Sequence, residues 1–256
     1  MKKSLLLIGA LLVLFSNDAF GWGKMGHDAI AYIAECNLTP KAKKTIEKYL
    51  GHSIVYYASW MDEWRAEPGY EHTSAWHTAS VDKDLVYAPR PKGDVIFALE
   101  DAIAKLQDYK SQDDSTVVMS LRCIIHFVGD MHCPVHVKYP GQKSYNIYLD
   151  GQKYSYHSVW DDQIISRSHR WSYMEYAHQL DRCTKKEIKE IASGSVRDWF
   201  HENAETSRHI YELVGPKQKL DKNETKSFIN RTHEMAERQI QRAGYRLAKV
   251  LNDLFD

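Results

Sequence analysis

Residues 115–131 read STVVMSLRCIIHFVGDM, and this segment limits what the chain can become. It is apolar on nearly every side, as a helix in the middle of a fold must be, and Pro134 ends it. Yet it carries His126 and Asp130 at i and i+4, on one helical face. An unpaired carboxylate in such a place is costly, so other parts of the chain must supply its partners. The expected structure is built around a central helix with a polar cluster in its core.

The surrounding sequence is mainly helical in its periodicity. Residues 27–36 form one apolar repeat, and Thr39-Pro40 cap and open a second helix through residue 50. Residues 94–109 (DVIFALEDAIAKLQDY) start at an aspartate and place Ile96, Leu99, Ile103 and Leu106 on one stripe. Further helical stretches cover 158–167, 185–214 with interruptions, and 226–254. Residues 143–156 alternate around Asp150-Gly151, a favoured hairpin turn. The predicted fold is mainly α, with one short β-hairpin.

The first 21 residues join Lys2 and Lys3 to an apolar run and end with small residues at Ala19 and Gly21, the pattern of a secretory leader. Residues 1–21 are thus expected to be removed, leaving 22–256 as one domain of a secreted or periplasmic protein, since no linker or repeat divides them. No later stretch is long and apolar enough to cross a membrane, so the mature chain is expected to be soluble. Losing the leader takes 34 basic and 34 acidic residues to 32 and 33. A balance so near zero announces no basic surface for nucleic acid or lipid. Cys36, Cys123, Cys133 and Cys183 allow two disulfides in an oxidising compartment, with the pairing open and free thiols as the alternative.

Thirteen histidines ask for an explanation. His157-Ser-Val-Trp-Asp161 repeats the His/Asp pair of the central helix, and His136 follows just beyond the first pair. One such pair alone is an ordinary structural hydrogen bond more often than a ligand set. Two in one small domain point to metal, and zinc accepts both imidazole nitrogen and carboxylate oxygen. Asp62 and His77, in aromatic surroundings, add the same residue types. Cleavage after Gly21 would free the amine of Trp22, which with its own carbonyl can chelate a metal that His27, one turn on, completes. Such an amine has an ordinary pKa of about 7.7–8.0 and deprotonates for a metal at modest cost.

At these residues the chain resembles the zinc-dependent S1/P1 nuclease family, a branch of the superfamily that includes bacterial phospholipase C. W-G-x-x-G-H matches at 22–27, A-x-W-x-D-x-x-R at 58–65, W-H at 76–77, H-x-x-G-D-x-H-x-P-x-H at 126–136 and H-S-x-W-D at 157–161. The resemblance implies three zinc ions. Asp62, His77, His126 and Asp130 would hold the first, and His136, His157 and Asp161 the second. Trp22 and His27 would hold the third, with Asp130 bridging it to the first. It implies attack on phosphorus by a hydroxide bridging the two ions that share Asp130, giving 5′-phosphorylated products. Arg65 would clamp a phosphate oxygen, and Asp82 falls where the family carries a carboxylate near the attacking water.

Substrate features depart from the family. Thr78 stands where many members carry a base-stacking aromatic, Ser80 replaces an acid that reads the base edge, and Ser155 replaces an Asn. Tyr154 and Tyr156 are the candidates to stack a base instead, at about 1–3 kcal/mol per base. His132 is expected to support a ligand through a hydrogen bond. The resulting expectation is a monomeric nuclease acting on single-stranded DNA, RNA and nucleotides, with 3′-nucleotidase activity in addition. Two alternatives are a zinc-dependent phospholipase C, against which the Trp22–His27 spacing and Asp161 count, and a non-catalytic zinc-binding protein.

Overall fold

The computed structural model describes residues 22–256; the leader assigned to 1–21 lies outside the described residues. The helices are α1 (Lys24–Cys36), α2 (Pro40–Leu50), α3 (Trp60–Trp64), α4 (Val95–Leu106), α5 (Asp114–His132), α6 (Tyr156–Ser158), α7 (Ile164–Ser168), α8 (Tyr173–Leu180), α9 (Lys185–Ile191), α10 (Val196–Leu213) and α11 (Lys222–Phe255). The fold is mainly α, as the periodicity predicts. Where helices start, side chains satisfy the otherwise orphaned first amides. Thr39 accepts from Ala42 N, Asp94 from Ile96 and Phe97 N, and Asp113 from Thr116 N. Reciprocal capping boxes open α8 (Ser172/Glu175), α9 (Thr184/Glu187), α10 (Ser195/Asp198) and α11 (Asp221/Glu224).

The central segment behaves as its composition requires. Leu121, Ile124, Ile125, Phe127 and Val128 of α5 are buried, and so are His126, Asp130 and His132. α4 and α11 pack on α5, while α1 runs along α11. The α1–α11 contact is close because Gly244 lacks a Cβ: one built there would lie 2.5 Å from Ile33 Cγ2. Tyr173–Leu180 is a helix not predicted from periodicity, since its start is marked by the Ser172 cap rather than by an apolar stripe.

Two small sheets position loops rather than forming a layer. The predicted hairpin is β4 (Asn146–Leu149) and β5 (Gln152–Ser155), with Asp150 and Gly151 both at positive φ, and β6 (Lys219–Leu220) adds a parallel strand. The other sheet, too short to leave a signal in sequence, orders β2 (Tyr87–Ala88), β1 (Ala79–Val81) and β3 (Val137–Lys138). Its parallel register sets Ala79 opposite Val137, bringing together the chain just after His77 and just after His136.

The two disulfides allowed by the cysteine count are not formed: Cys36, Cys123, Cys133 and Cys183 are all free thiols. Cys123 packs as a small apolar residue, its pKa raised to about 12 by burial. Among the described residues, no helix is long and apolar enough to cross a membrane.

Candidate metal centre

Asp130 projects from α5 into a ring of imidazoles. Its Oδ2 lies 2.8 Å from His77 Nδ1 and 3.1 Å from His126 Nε2, and its Oδ1 3.3 Å from His136 Nδ1 and 3.5 Å from His27 Nε2. Asp62 of α3 closes the first side, its Oδ1 3.3 Å from His77 Nδ1 and its Oδ2 3.8 Å from His126 Nε2. His126 Nδ1 donates to the Ala58 carbonyl at 2.7 Å, which leaves Nε2 with its lone pair toward the centre.

A second group sits beside the first. His157 Nε2 is 2.8 Å from Asp161 Oδ2, and His136 Nε2 is 3.7 Å from Asp161 Oδ1, with the two rings stacked at 5.0 Å. His136 arrives on a tight turn, Pro134–His136, that begins where α5 ends. Asn203 of α10 fixes that junction by donating to the carbonyls of Met131 and Cys133 at 2.8 and 3.1 Å. Asp161 lies in a wide π-helical turn, Val159–Gln163, a local distortion often found at functional sites.

The third group involves the start of the described chain. Trp22 is fully buried, and Gly23 N donates to the Asp161 carbonyl at 2.6 Å, which anchors this backbone at the centre. His27 stacks on His126 at 4.2 Å and lies over Gly129 of α5. A Cβ on Gly129 would fall 2.8 Å from His27 Nδ1, so the glycine of the H-x-x-G-D motif is what allows this approach.

The donor set fits metal ions. Buried polar atoms are ordinarily hydrogen-bonded, yet His27 Nδ1 and Nε2, Asp62 Oδ1, His77 Nε2, Asp130 Oδ1, His136 Nδ1 and Nε2, His157 Nε2 and Asp161 Oδ2 have no hydrogen-bond partner. Three clusters bring ligand atoms within 4.8 Å of one another: His27/His126/Asp130, Asp62/His77/His126 and Cys133/His136/Asp161. Electrostatics agree. Burial alone would lower His126, but Asp130 and Asp62 outweigh it and push its pKa up to about 9. Burial likewise works against an ionised Asp130, yet His126 and His136 hold that carboxyl well below the usual range. Burial lowers His27 and His136, keeping both neutral and able to coordinate. Burial raises Asp161 to about 6 against the pull of His157.

A cavity of about 470 Å³ opens onto these ligands, lined by Arg65, His77, Thr78, Lys138, Tyr145, Tyr156 and His157 among others. Arg65 is largely buried beside Asp62, Nη1 to Oδ1 3.6 Å, as its place one turn later predicts. Two sequence candidates are placed elsewhere. Asp82 is exposed at the β1–β2 turn, where its Oδ1 accepts from Asp84 N and Val86 N, both at 2.9 Å. Tyr154 lies outside the cavity lining, with Arg167 over its ring at 5.3 Å and bonded to its hydroxyl at 2.9 Å. The tyrosine stack in the cavity is instead Tyr145 on Tyr156, 4.9 Å apart. His132 supports no ligand: its Nδ1 donates to Val128 O at 2.7 Å, and its Nε2 accepts from Arg246 at 3.0 Å.

Two contributors carried no signal in the sequence. Arg90 donates to the Thr78 hydroxyl at 3.0 Å and to the Ala75 carbonyl at 2.6 Å, holding the backbone on either side of His77. Cys133 Sγ donates to Asp161 Oδ1 at 2.9 Å, leaving Oδ2 to face His157. Ligand-orienting partners of this kind typically change metal affinity 10–100-fold. Cys133→Ala is therefore expected to weaken retention of the metal at His136/His157/Asp161 by roughly tenfold or more. Competition with a chromophoric chelator measures this, and unchanged retention would remove Cys133 from the centre.

A family model described as S1/P1 Nuclease matches residues 22–256. The chain is 25% identical to Endonuclease 2 of Arabidopsis thaliana, over 98% of this chain and 96% of that one. It is 28% identical to Nuclease P1 of Penicillium citrinum over 55% of this chain and 57% of that protein, and 24% identical to Nuclease S1 of Aspergillus oryzae over 62% and 60%.

Proposed function

The chain belongs to the S1/P1 nuclease family and is a hydrolytic nuclease of that type, and from this premise we propose that it cleaves single-stranded DNA and RNA to 5′-phosphorylated products with three zinc ions. The same site would serve as a 3′-nucleotidase. The observation that carries the reading is the convergence of unpartnered buried His and Asp atoms on Asp130, beside a cavity lined by His77, His136 and His157. Asp62, His77, His126 and Asp130 would hold one ion, and His136, His157 and Asp161 another. His27 would hold the third with the amine and carbonyl of Trp22, sharing Asp130. When bound, the ions supply Lewis acidity, activating water for attack on phosphorus and stabilising charge on the leaving 3′ oxygen.

The protein's own groups divide the remaining work. Arg65 presents its guanidinium at the cavity wall, where it can clamp a non-bridging phosphate oxygen. Lys138, half-buried in the same lining with its Nζ donating to the Val135 carbonyl at 2.9 Å, lends positive charge to the cavity. Thr78 offers no ring to a base, so the base stacks on Tyr145, whose plane is held by Tyr156 and whose hydroxyl donates to Val214 O at 2.8 Å. This reading gives Asp82 and Tyr154 no part in the reaction, and the exposure of Asp82 at the β1–β2 turn and the place of Tyr154 outside the cavity lining support it. Domain limits of 22–256, export of the mature chain and a monomeric state complete the reading; the leader pattern and the buried Trp22 support it.

The test compares zinc-loaded protein starting at Trp22 with a version carrying one additional Ala before it. Both are offered single-stranded DNA, RNA and phosphatidylcholine, and bound zinc is counted. Native protein should cut nucleic acid with three zincs bound, and the extended version should lose one zinc and most activity. Cleavage of phosphatidylcholine alone would replace the substrate, and equal zinc and activity in both versions would sink the role of the free amine.

A further inference from the structure

Outside the nuclease centre, one more cluster shares its signature. His169, in the turn after α7, meets His233 and Glu237, which stand at i and i+4 on α11. Ligand atoms of all three lie within 4.8 Å of one another. We propose that His169, His233 and Glu237 form a separate binding site for a divalent first-row transition ion such as zinc.

Three independent features point to a ligand. First, His233 Nδ1 lies 3.2 Å from the Ile229 carbonyl, which can only accept, so the proton sits on Nδ1. That leaves Nε2 with its lone pair for a metal, the tautomer control seen in ligating histidines. Second, Glu237 Oε1 is buried with no hydrogen-bond partner, although His169 Nε2 is only 3.2 Å away. A carboxylate and an imidazole held this close without an aligned hydrogen bond can share a cation, and the nuclease ligands show the same pattern. Among the described residues, Glu237 is the one carboxylate outside that centre to show it. Third, the His169 ring is fixed by stacking on Trp171 at 4.0 Å and 13°, and meets His233 edge-on at 5.2 Å.

Two imidazoles and one carboxylate suit zinc and its neighbours, with water completing the coordination. α7 packs against α11, and Arg170 next to the site has φ 59°. A bound ion would therefore clip this strained turn to the longest helix, raising stability without touching phosphodiester chemistry.

The test equilibrates wild type, His233→Ala and His169→Ala with the same free Zn2+ and counts bound metal. The expected result is one zinc fewer per chain in both variants, whatever number the nuclease centre holds, with the rate on single-stranded DNA unchanged. Added Zn2+, beyond that needed for full activity, should raise the Tm of wild type and not of the variants. A zinc count unchanged in either variant would overturn the proposal. His169 is exposed, so its replacement leaves the fold intact and a lost ion is read directly.

Discussion

Protein stripped of metal by a strong chelator is expected to lose all hydrolysis and to melt about 10 °C or more below the zinc-loaded form. The expectation follows from where the charges sit. Asp62, Asp130 and Asp161 are each at most 6% exposed, and one oxygen of each (Asp62 Oδ1, Asp130 Oδ1, Asp161 Oδ2) faces an imidazole without a hydrogen-bond partner. Leaving a buried charge without its partner costs about 3–5 kcal/mol, and a chain of this length loses about 2–4 °C of Tm per kcal/mol. Protonation of His126 offsets part of this. Its pKa in the folded, metal-free protein is raised to about 9 from 6.5, so its contribution is complete below pH 6.5 and disappears as pH rises through 9. The chelated form should therefore become less stable across that window. Zinc competes with the same proton, so apparent zinc affinity should fall as pH drops below 9. Differential scanning calorimetry with and without chelator, at several pH values, checks both. A Tm that does not respond to chelation would mean that the cluster is satisfied without metal.

What the sequence made legible was whatever short-range spacing encodes. His126 and Asp130 lie on one face because four residues make one helical turn, and the apolar residues around them allow no exposed solution. The hairpin at 146–155 was readable because Asp150-Gly151 accepts positive φ. Harder to see were roles decided by what comes from elsewhere in the chain. His132, two residues from Asp130, turns away because α5 rotates it by about 200° toward Arg246, 114 residues later in the chain. Asp82 looked available next to β1, but its carboxylate is used by the backbone of its own turn. Cys133 read as a disulfide candidate, and the fold instead makes it a donor to Asp161, 28 residues away. The second sheet was invisible because strands of two or three residues have no periodicity, although its parallel register is what brings His77 and His136 together.

The substitution with the largest expected effect on activity is Asp130→Asn. The change keeps the volume and one oxygen, so α5 should still pack; what it removes is the charge that four imidazoles face. Asp130 is the shared neighbour of His27, His77, His126 and His136, within 2.8–3.5 Å of each. No other carboxylate among the described residues touches so many of the candidate ligands. An amide nitrogen also points two hydrogens where a lone pair is required, repelling any cation placed there. Loss of about 1000-fold in kcat/KM is expected, roughly 4 kcal/mol at 1.36 kcal/mol per tenfold change, together with more than one bound zinc. Asp82→Asn is the matched comparison. Asparagine keeps the oxygen that accepts from Asp84 N and Val86 N, so that variant should retain activity within about twofold. If Asp82→Asn instead fell as far as Asp130→Asn, the exposed turn would have to approach the substrate, and the separation between ligand and surface carboxylates drawn from the fold would be wrong. If Asp130→Asn kept its zinc but lost its rate, Asp130 would act on the reacting groups rather than by bridging ions.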